Sequence, residues 1–278
     1  MTENRLKRLF IFTDLDGTLL DHTSYSHEPA QAMLSLLANK KIPVIPTTSK
    51  TYAELIPLRQ RLGLSGPFIV ENGAAVCMPD GFLREAPRHA QLVEQMWIRR
   101  FTSSKHYWLA VLNKISPAFQ GCFKQFSLMS IAEISALTGL SAEEAILAAQ
   151  REYGEPVLWL GSEQQKQEFI QQLTDAGALP LQGGRFIHVS GECDKGRALS
   201  WFMAEVARQY PELQGISIAL GDSQNDQAML EVADIAVRIR SDFHPLPSLK
   251  RRDSLYTSSQ LGPAGWHEVL TKLIDEKF

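Results

Sequence analysis

The chain has 278 residues, 44% hydrophobic and 21% charged, enough for one large domain or two modest ones around a sizeable core. A formal net charge of −3, from 28 basic and 31 acidic residues, argues against nucleic acid or a membrane surface as partner. Three cysteines (Cys77, Cys122, Cys193) without a CxxC pair argue against a disulfide framework or a zinc site and suit a reducing compartment.

The N-terminal "MTENRLKRLFIFTDLD" puts basic residues before an apolar run that Asp14 cuts short, with no small-residue cleavage site, so it reads as a strand and not a signal peptide. No stretch has the apolar length of a membrane span, and the expected location is cytoplasmic.

In chain order, "RLFIFT", "KIPVIPTT" and "PFIV" read as short apolar strands, and Asn72-Gly73 in "ENGAAVCM" marks a turn into a further extended piece. Between the first two strands "EPAQAMLSLLANK" has helical apolar spacing, with Pro29 near its start. "TYAELIPLRQRLG" is a helix opened by a Thr51/Glu54 capping box and stopped near Gly63, with Pro57 inside it. Late in the chain, "KGRALSWFMAEVARQY" and "QNDQAMLEVA" read as helices and "GISIALGD" and "DIAVRI" as strands. Apolar strands alternating with helices predict an α/β fold with a doubly wound, Rossmann-like parallel sheet, whose ligands bind outside the carboxyl ends of the strands.

The middle, Ala86 to Ser190, differs in texture. "HAQLVEQMWIRRF" is expected to be a long helix. Two more helices open with capping boxes, Ser130/Glu133 and Ser141/Glu144. Strands are expected at "PVLWL" and as a pair around Gly183-Gly184. This middle is read as an inserted α+β module, which divides the chain into 1–85, 86–190 and 191–278.

Four pieces carry chemistry, each at or near the end of a core strand. Asp14-Leu15-Asp16-Gly17-Thr18 sets two carboxylates a residue apart, which repel unless a cation or shared proton relieves them. Capping of the next helix is the plain alternative, but that helix starts about ten residues later. Gly221-Asp222-Ser223-Gln224-Asn225-Asp226 follows a second apolar strand and could alone be a helix cap. Joined to the first cluster, it completes an oxygen-rich, histidine-poor set that suits Mg²⁺ and not zinc or copper. In "PTTSKT", the hydroxyls of Thr47, Thr48, Ser49 and Thr51 and the charge of Lys50 sit at a helix start, a natural phosphate seat. Lys195 opens a late helix where a cation is unfavourable to the dipole, so an anionic partner is the better account.

"DLDGT", a threonine after the second strand, a lysine and "GDSQND", in that order, resemble the haloacid dehalogenase-type phosphatases, and the middle module resembles the cap of members that hydrolyse phosphorylated sugars. "SKT" after Thr48, "ENGA" at Glu71–Ala74, "TGLS" at Thr138–Ser141, "GGRF" at Gly183–Phe186 with His188, and "GPAGW" at Gly262–Trp266 resemble the mannosyl-3-phosphoglycerate phosphatase family over nearly the whole chain.

That resemblance implies a hydrolase core with a cap domain, and Asp14 as nucleophile in an aspartyl-phosphate mechanism. It implies Mg²⁺ held by Asp14, Asp222 and the backbone carbonyl of Asp16, with Asn225 and Asp226 beside it. Asp16 would act as acid and then base, and Thr48 and Lys195 would hold phosphate oxygens. Arg185 and Lys50 are candidates for a substrate carboxylate, because a guanidinium fork or an ammonium matches it. Gly184, His188 and Asn72 complete the candidate substrate set. For Arg185 a solvated hairpin position stands beside the binding role, and for His188 a packed strand position does.

The implied partner is a small phosphorylated sugar-glycerate, with the protein a monomer or weak homodimer. Sucrose phosphate, glucosyl-3-phosphoglycerate, a hexose phosphate, phosphomutase activity or phosphosugar binding without turnover remain open alternatives. Trp97, Trp108, Trp159 and Trp201 read as packing residues, and Leu249–Arg252 ("LKRR") as a solvated loop.

Overall fold

The computed structural model describes residues 6–183 and 185–277. The first half runs β1 (Leu6–Thr13), α1 (Gln31–Asn39), β2 (Val44–Pro46), α2 (Tyr52–Arg61), β3 (Phe68–Val70), β4 (Ala75–Pro79), β5 (Gln91–Val93), β6 (Met96–Arg100) and α3 (Lys105–Ile115). There follow β7 (Phe123–Gln125), α4 (Ile131–Thr138), α5 (Ala142–Ala148), β8 (Glu155–Trp159), α6 (Glu163–Asp175), β9 (Leu181–Gly183) and β10 (Phe186–Val189). The last part holds α7 (Lys195–Gln209), β11 (Leu213–Gly221), α8 (Gln227–Val232), β12 (Ile235–Arg240), β13 (Leu255–Leu261) and α9 (Gly262–Lys277). Among the described residues no helix is long and apolar enough to cross a membrane.

The chain forms two compact units. One comprises the described residues up to Thr48, Leu62–Arg99 and those from Asp194 on; the other comprises Ser49–Arg61 and Arg100–Cys193.

In the first unit a parallel sheet has the order β13-β12-β11-β1-β2. β1 changes from exposed to fully buried along its length, so its carboxyl end lies in the core. Phe10 and Phe12 meet Phe202 of α7 edge to face, at ring centroid separations of 5.8 and 5.5 Å. The register pairs Thr13 with Leu220 of β11 and with Pro46 of β2. Asp14 N–H continues the ladder to the Leu220 carbonyl at 2.9 Å, and Thr47 N–H donates to Thr13 at 2.8 Å. The residues after three adjacent strands, Asp14, Thr48 and Asp222, therefore emerge at one edge of the sheet.

The expected long helix over "HAQLVEQMWIRRF" is instead a hairpin. Val93 pairs with Met96 across a two-residue turn in which Glu94 is left-handed, at φ 55°. Leu92 and Met96 have helical spacing, but β6 lies next to β4 in a second sheet of order β3-β4-β6-β5, and tertiary pairing overrides the local pattern.

The second unit is an antiparallel sheet, β7-β8-β10-β9, with two apolar clusters. One gathers Trp108, Leu112, Val157, Phe169 and Ile187, with Trp159 packed against it; the other gathers Phe126, Met129, Ile134 and Ala145. Both predicted capping boxes form, at Ser130/Glu133 and Ser141/Glu144, and Ser162/Gln165 makes a third on α6. α2 begins with the predicted reciprocal pair. Thr51 N–H donates to Glu54 Oε2 at 2.8 Å, and Glu54 N–H donates to Thr51 Oγ1 at 3.1 Å.

In the first unit the "LKRR" loop is more committed than a solvated run. The Arg251 guanidinium donates to the carbonyls of Leu230, Ala233 and Asp234, closing the carboxyl end of α8.

Candidate active site

Asp14, Asp222 and Asp226 are all buried, and an oxygen of each lies within 4.8 Å of the others. Three carboxylates so placed need positive charge. Lys195 supplies part of it: its fully buried ammonium donates to Asp14 Oδ1 at 2.5 Å and to Asp226 Oδ1 at 2.6 Å. Asp194 caps α7 by accepting Arg197 N–H at 2.7 Å, which sets Lys195 at the first turn. The anionic partner predicted for Lys195 is thus this carboxylate pair.

Electrostatics follow from that geometry. Burial, then the charge of Asp226, pushes the Asp14 carboxyl well above its ordinary value, with Lys195 opposing. Burial and Asp226 likewise push Asp222 up to about 6. Burial alone would lower Lys195, but the charges and hydrogen bonds of Asp14 and Asp226 outweigh it and hold the ammonium above its usual range.

Asp226 is filled by protein donors. Its Oδ2 accepts the N–H groups of Asp222 and Ser223 at 3.1 and 3.0 Å, besides the bond to Lys195 through Oδ1. Asp222 Oδ1 accepts the Thr18 hydroxyl at 3.2 Å, whereas its Oδ2 is buried with no hydrogen-bond partner. A buried, unmatched carboxylate oxygen among three acidic groups that share one ammonium is what a bound divalent cation would satisfy, and an all-oxygen donor set fits Mg²⁺.

Gly17 is required beside that oxygen. Its φ is +82°, and a Cβ there would lie 2.6 Å from Asp222 Oδ2. Asp16, half-buried, lies one residue before it on the same loop, where it bridges to Leu20.

Two residues without an assigned role from sequence brace the Asp14 segment. Thr18 holds Asp222, as above. Trp266, wholly buried in α9, donates from Nε1 to Thr13 Oγ1 at 3.0 Å, and that hydroxyl donates to the Asp14 carbonyl at 2.7 Å. "GPAGW" marks Trp266 in the sequence, but its contact with β1 is 253 residues away.

Thr48 is buried, with its N–H donating to Ile69 at 3.1 Å and its carbonyl accepting Asn72 N–H at 2.8 Å. Asn225 Nδ2 donates to Asn72 Oδ1 at 3.2 Å. The first unit thus brings together Asp14, Asp222, Asp226 and Lys195, and ties Thr48, Asn72 and Asn225 to one another.

The remaining candidates belong to the second unit. Arg185 is exposed and donates to the Leu137 carbonyl near the end of α4. His188 is a half-buried residue of β10 paired with Pro156; burial and the charge of Arg151 lower its imidazole to about 3, so it is neutral at physiological pH. Lys50 precedes the Thr51 cap of α2, and Arg151 Nη2 donates to the adjacent Ser49 carbonyl at 3.2 Å. Gly184 lies outside the described residues.

Residues 11–114 match the family described as haloacid dehalogenase-like hydrolase. A glucosyl-3-phosphoglycerate/mannosyl-3-phosphoglycerate phosphatase from Methanococcoides burtonii is 34% identical over 265 residues, covering 95% of this chain and 96% of the relative. A sucrose-phosphatase from Synechocystis shares the fold, with a TM-score of 0.61 at 12% identity over 97% of this chain and 98% of that one. A phosphatase of the same superfamily from Bacteroides thetaiotaomicron gives a TM-score of 0.65 at 15% identity over 98% of this chain and 97% of that one. The chain belongs to the haloacid dehalogenase-like hydrolases and, within them, to the family of the archaeal glycosyl-3-phosphoglycerate phosphatase.

Proposed function

We propose that the protein is a Mg²⁺-dependent phosphatase that hydrolyses the phosphomonoester of mannosyl-3-phosphoglycerate or a close glycosyl-3-phosphoglycerate. The observation that carries this reading is the buried set of Asp14, Asp222 and Asp226 around Lys195, with Asp222 Oδ2 unmatched. The 34% identity with the archaeal phosphatase supports the choice of substrate.

Asp14, Asp222 and the backbone carbonyl of Asp16 would hold the cation, with Asn225 beside them and Asp226 supporting through Lys195. When bound, Mg²⁺ offsets the repulsion between carboxylate and phosphate and stabilises charge on the transferring group. Asp14 attacks phosphorus and becomes an aspartyl phosphate as the bond to the glycerate oxygen breaks. Asp16 donates a proton to that leaving oxygen, then removes one from the water that hydrolyses the acyl phosphate. Lys195 and Thr48 hold phosphate oxygens.

The inserted segment 86–190, most of which lies in the second unit, is assigned the role of cap. Substrate choice is given to Lys50, Arg185, His188 and Gly184, with Asn72 as a further candidate substrate residue. The protein acts in the cytoplasm as a monomer or weak homodimer.

Phosphate release across a panel decides the matter: mannosyl- and glucosyl-3-phosphoglycerate, sucrose phosphate and a hexose phosphate, each with Mg²⁺ and with chelator. Release should need Mg²⁺, favour the glycerate esters and vanish in Asp14→Asn. Full activity in that variant would exclude the covalent route. Faster release from sucrose phosphate would replace the substrate, and return of phosphate to the sugar would make the protein a mutase.

A further inference from the structure

Glu71, Asn72 and Gly73 turn the chain from β3 into β4 with three successive positive φ angles, 47°, 59° and 93°. Left-handed backbone costs about 1–2 kcal/mol at an ordinary L-residue, so two neighbouring non-glycine residues there need a reason. Glycine at position 72 would adopt the same angles more readily. What asparagine adds is its amide.

The turn reaches three pieces of the acidic site at once. Asn72 N–H donates to the Thr48 carbonyl at 2.8 Å. Asn72 Oδ1 accepts Asn225 Nδ2 at 3.2 Å, and Asn225 Oδ1 in turn accepts the Ser223 hydroxyl at 2.6 Å. Gly73 packs so closely on the chain before Lys195 that a Cβ would lie 2.1 Å from the Asp194 carbonyl oxygen and 2.8 Å from Lys195 N.

We propose that Asn72 is a positioning residue, which registers Asn225 and the Asp222–Asp226 loop against Thr48 and Lys195 through this strained turn, and so sets the affinity of the acidic site for its divalent cation. The inference rests on the Mg²⁺ reading above. It gives Asn72 a task that exists before any substrate binds. The backbone conformation fixes where the amide points, and the amide fixes Asn225.

The test is Mg²⁺ binding measured by calorimetry on the full-length enzyme without substrate, using wild type, Asn72→Gly, Asn225→Ala and the double variant. Asn72→Gly keeps the left-handed backbone and the bond to Thr48, and removes only the side chain. It should weaken Mg²⁺ about fivefold, the equivalent of about 1 kcal/mol for one hydrogen bond, with the melting temperature unchanged. Asn225→Ala should weaken Mg²⁺ by at least as much, and the double variant no further, because the two side chains act as one unit.

Wild-type Mg²⁺ affinity in Asn72→Gly, with only KM raised, overturns the inference and leaves Asn72 a substrate contact. Additive losses in the double variant overturn it as well. A wild-type enzyme that binds no Mg²⁺ overturns the metal reading itself, and this inference with it.

Discussion

Lys195 Nζ lies 2.5 Å from Asp14 Oδ1, although 181 residues separate them in the chain. The same ammonium is 2.6 Å from Asp226, and all three side chains are buried. The bond joins the end of β1 to the start of α7 and holds the carboxylate assigned as nucleophile in one orientation. One ammonium against three carboxylates leaves the site net negative, and burial, with the charge of Asp226 next, makes Asp14 and Asp222 both resist ionisation.

Replacing Lys195 with methionine keeps the length of the side chain and removes its charge. Asp14 and Asp226 are then buried without their counter-ion, and removing one partner of such a network costs about 3–5 kcal/mol. Urea unfolding in chelator should register a loss of that order. Wild-type stability in Lys195→Met would mean that the ammonium is not what keeps the two carboxylates buried.

Mg²⁺ should stabilise the enzyme, since it binds a carboxylate cluster that exists only in the folded state. At a concentration one hundred times its Kd, a single ion adds about 2.7 kcal/mol. The melting temperature should rise with Mg²⁺ and return with chelator. Asp222→Asn should abolish that rise, and a shift that persists in this variant would move the ion elsewhere.

Gly17→Ala tests the crowding beside Asp222. The new methyl would meet Asp222 Oδ2, and φ of +82° strains any L-residue by about 1–2 kcal/mol. Both the metal-free stability and the Mg²⁺-induced rise in melting temperature should fall. A variant that loses neither would show that the loop can shift to make room.

His188 predicts the acid behaviour of the second unit. Its imidazole titrates near 3 in the fold, against an ordinary value of 6.5, so the unfolded chain binds the extra proton between these limits. Stability should therefore be complete above pH 6.5 and decline as pH falls toward 3. One proton allows a slope of at most about 1.4 kcal/mol per pH unit. His188→Gln should flatten that slope in a series of urea unfolding curves; an unchanged slope would assign the acid sensitivity to other groups, such as Glu133, whose hydrogen bond to Lys124 holds its carboxyl below the ordinary value.

Features set within a few residues were legible before folding. The capping boxes at Thr51, Ser130 and Ser141 need a hydroxyl and a glutamate three residues apart, and helix geometry does the rest. β1 and β11 were legible because strands buried on both faces read as unbroken apolar runs. The hairpin of β5 and β6 was not, since Leu92 and Met96 carry a helical spacing and only pairing with β4 overrides it. β13 also escaped: "LYTSSQL" has little apolar signal, and its place beside β12 makes it a strand.

The chemistry on offer is written in residue order alone: two aspartates after one apolar strand, two more after another, a lysine at a helix start, and few competing ligand types. Those are residue identities and short spacings, and they survive in any conformation. Which atoms meet depends on the folded chain. It gave both oxygens of Asp226 to Lys195 and the loop amides, left Asp222 Oδ2 unmatched against Gly17, and hung the Asp14 backbone from Trp266 through Thr13. The physical reason is distance. A carboxylate's partners are chosen within about 3 Å, and groups separated by 181 or 253 residues come that close only when strand register and helix packing have placed them.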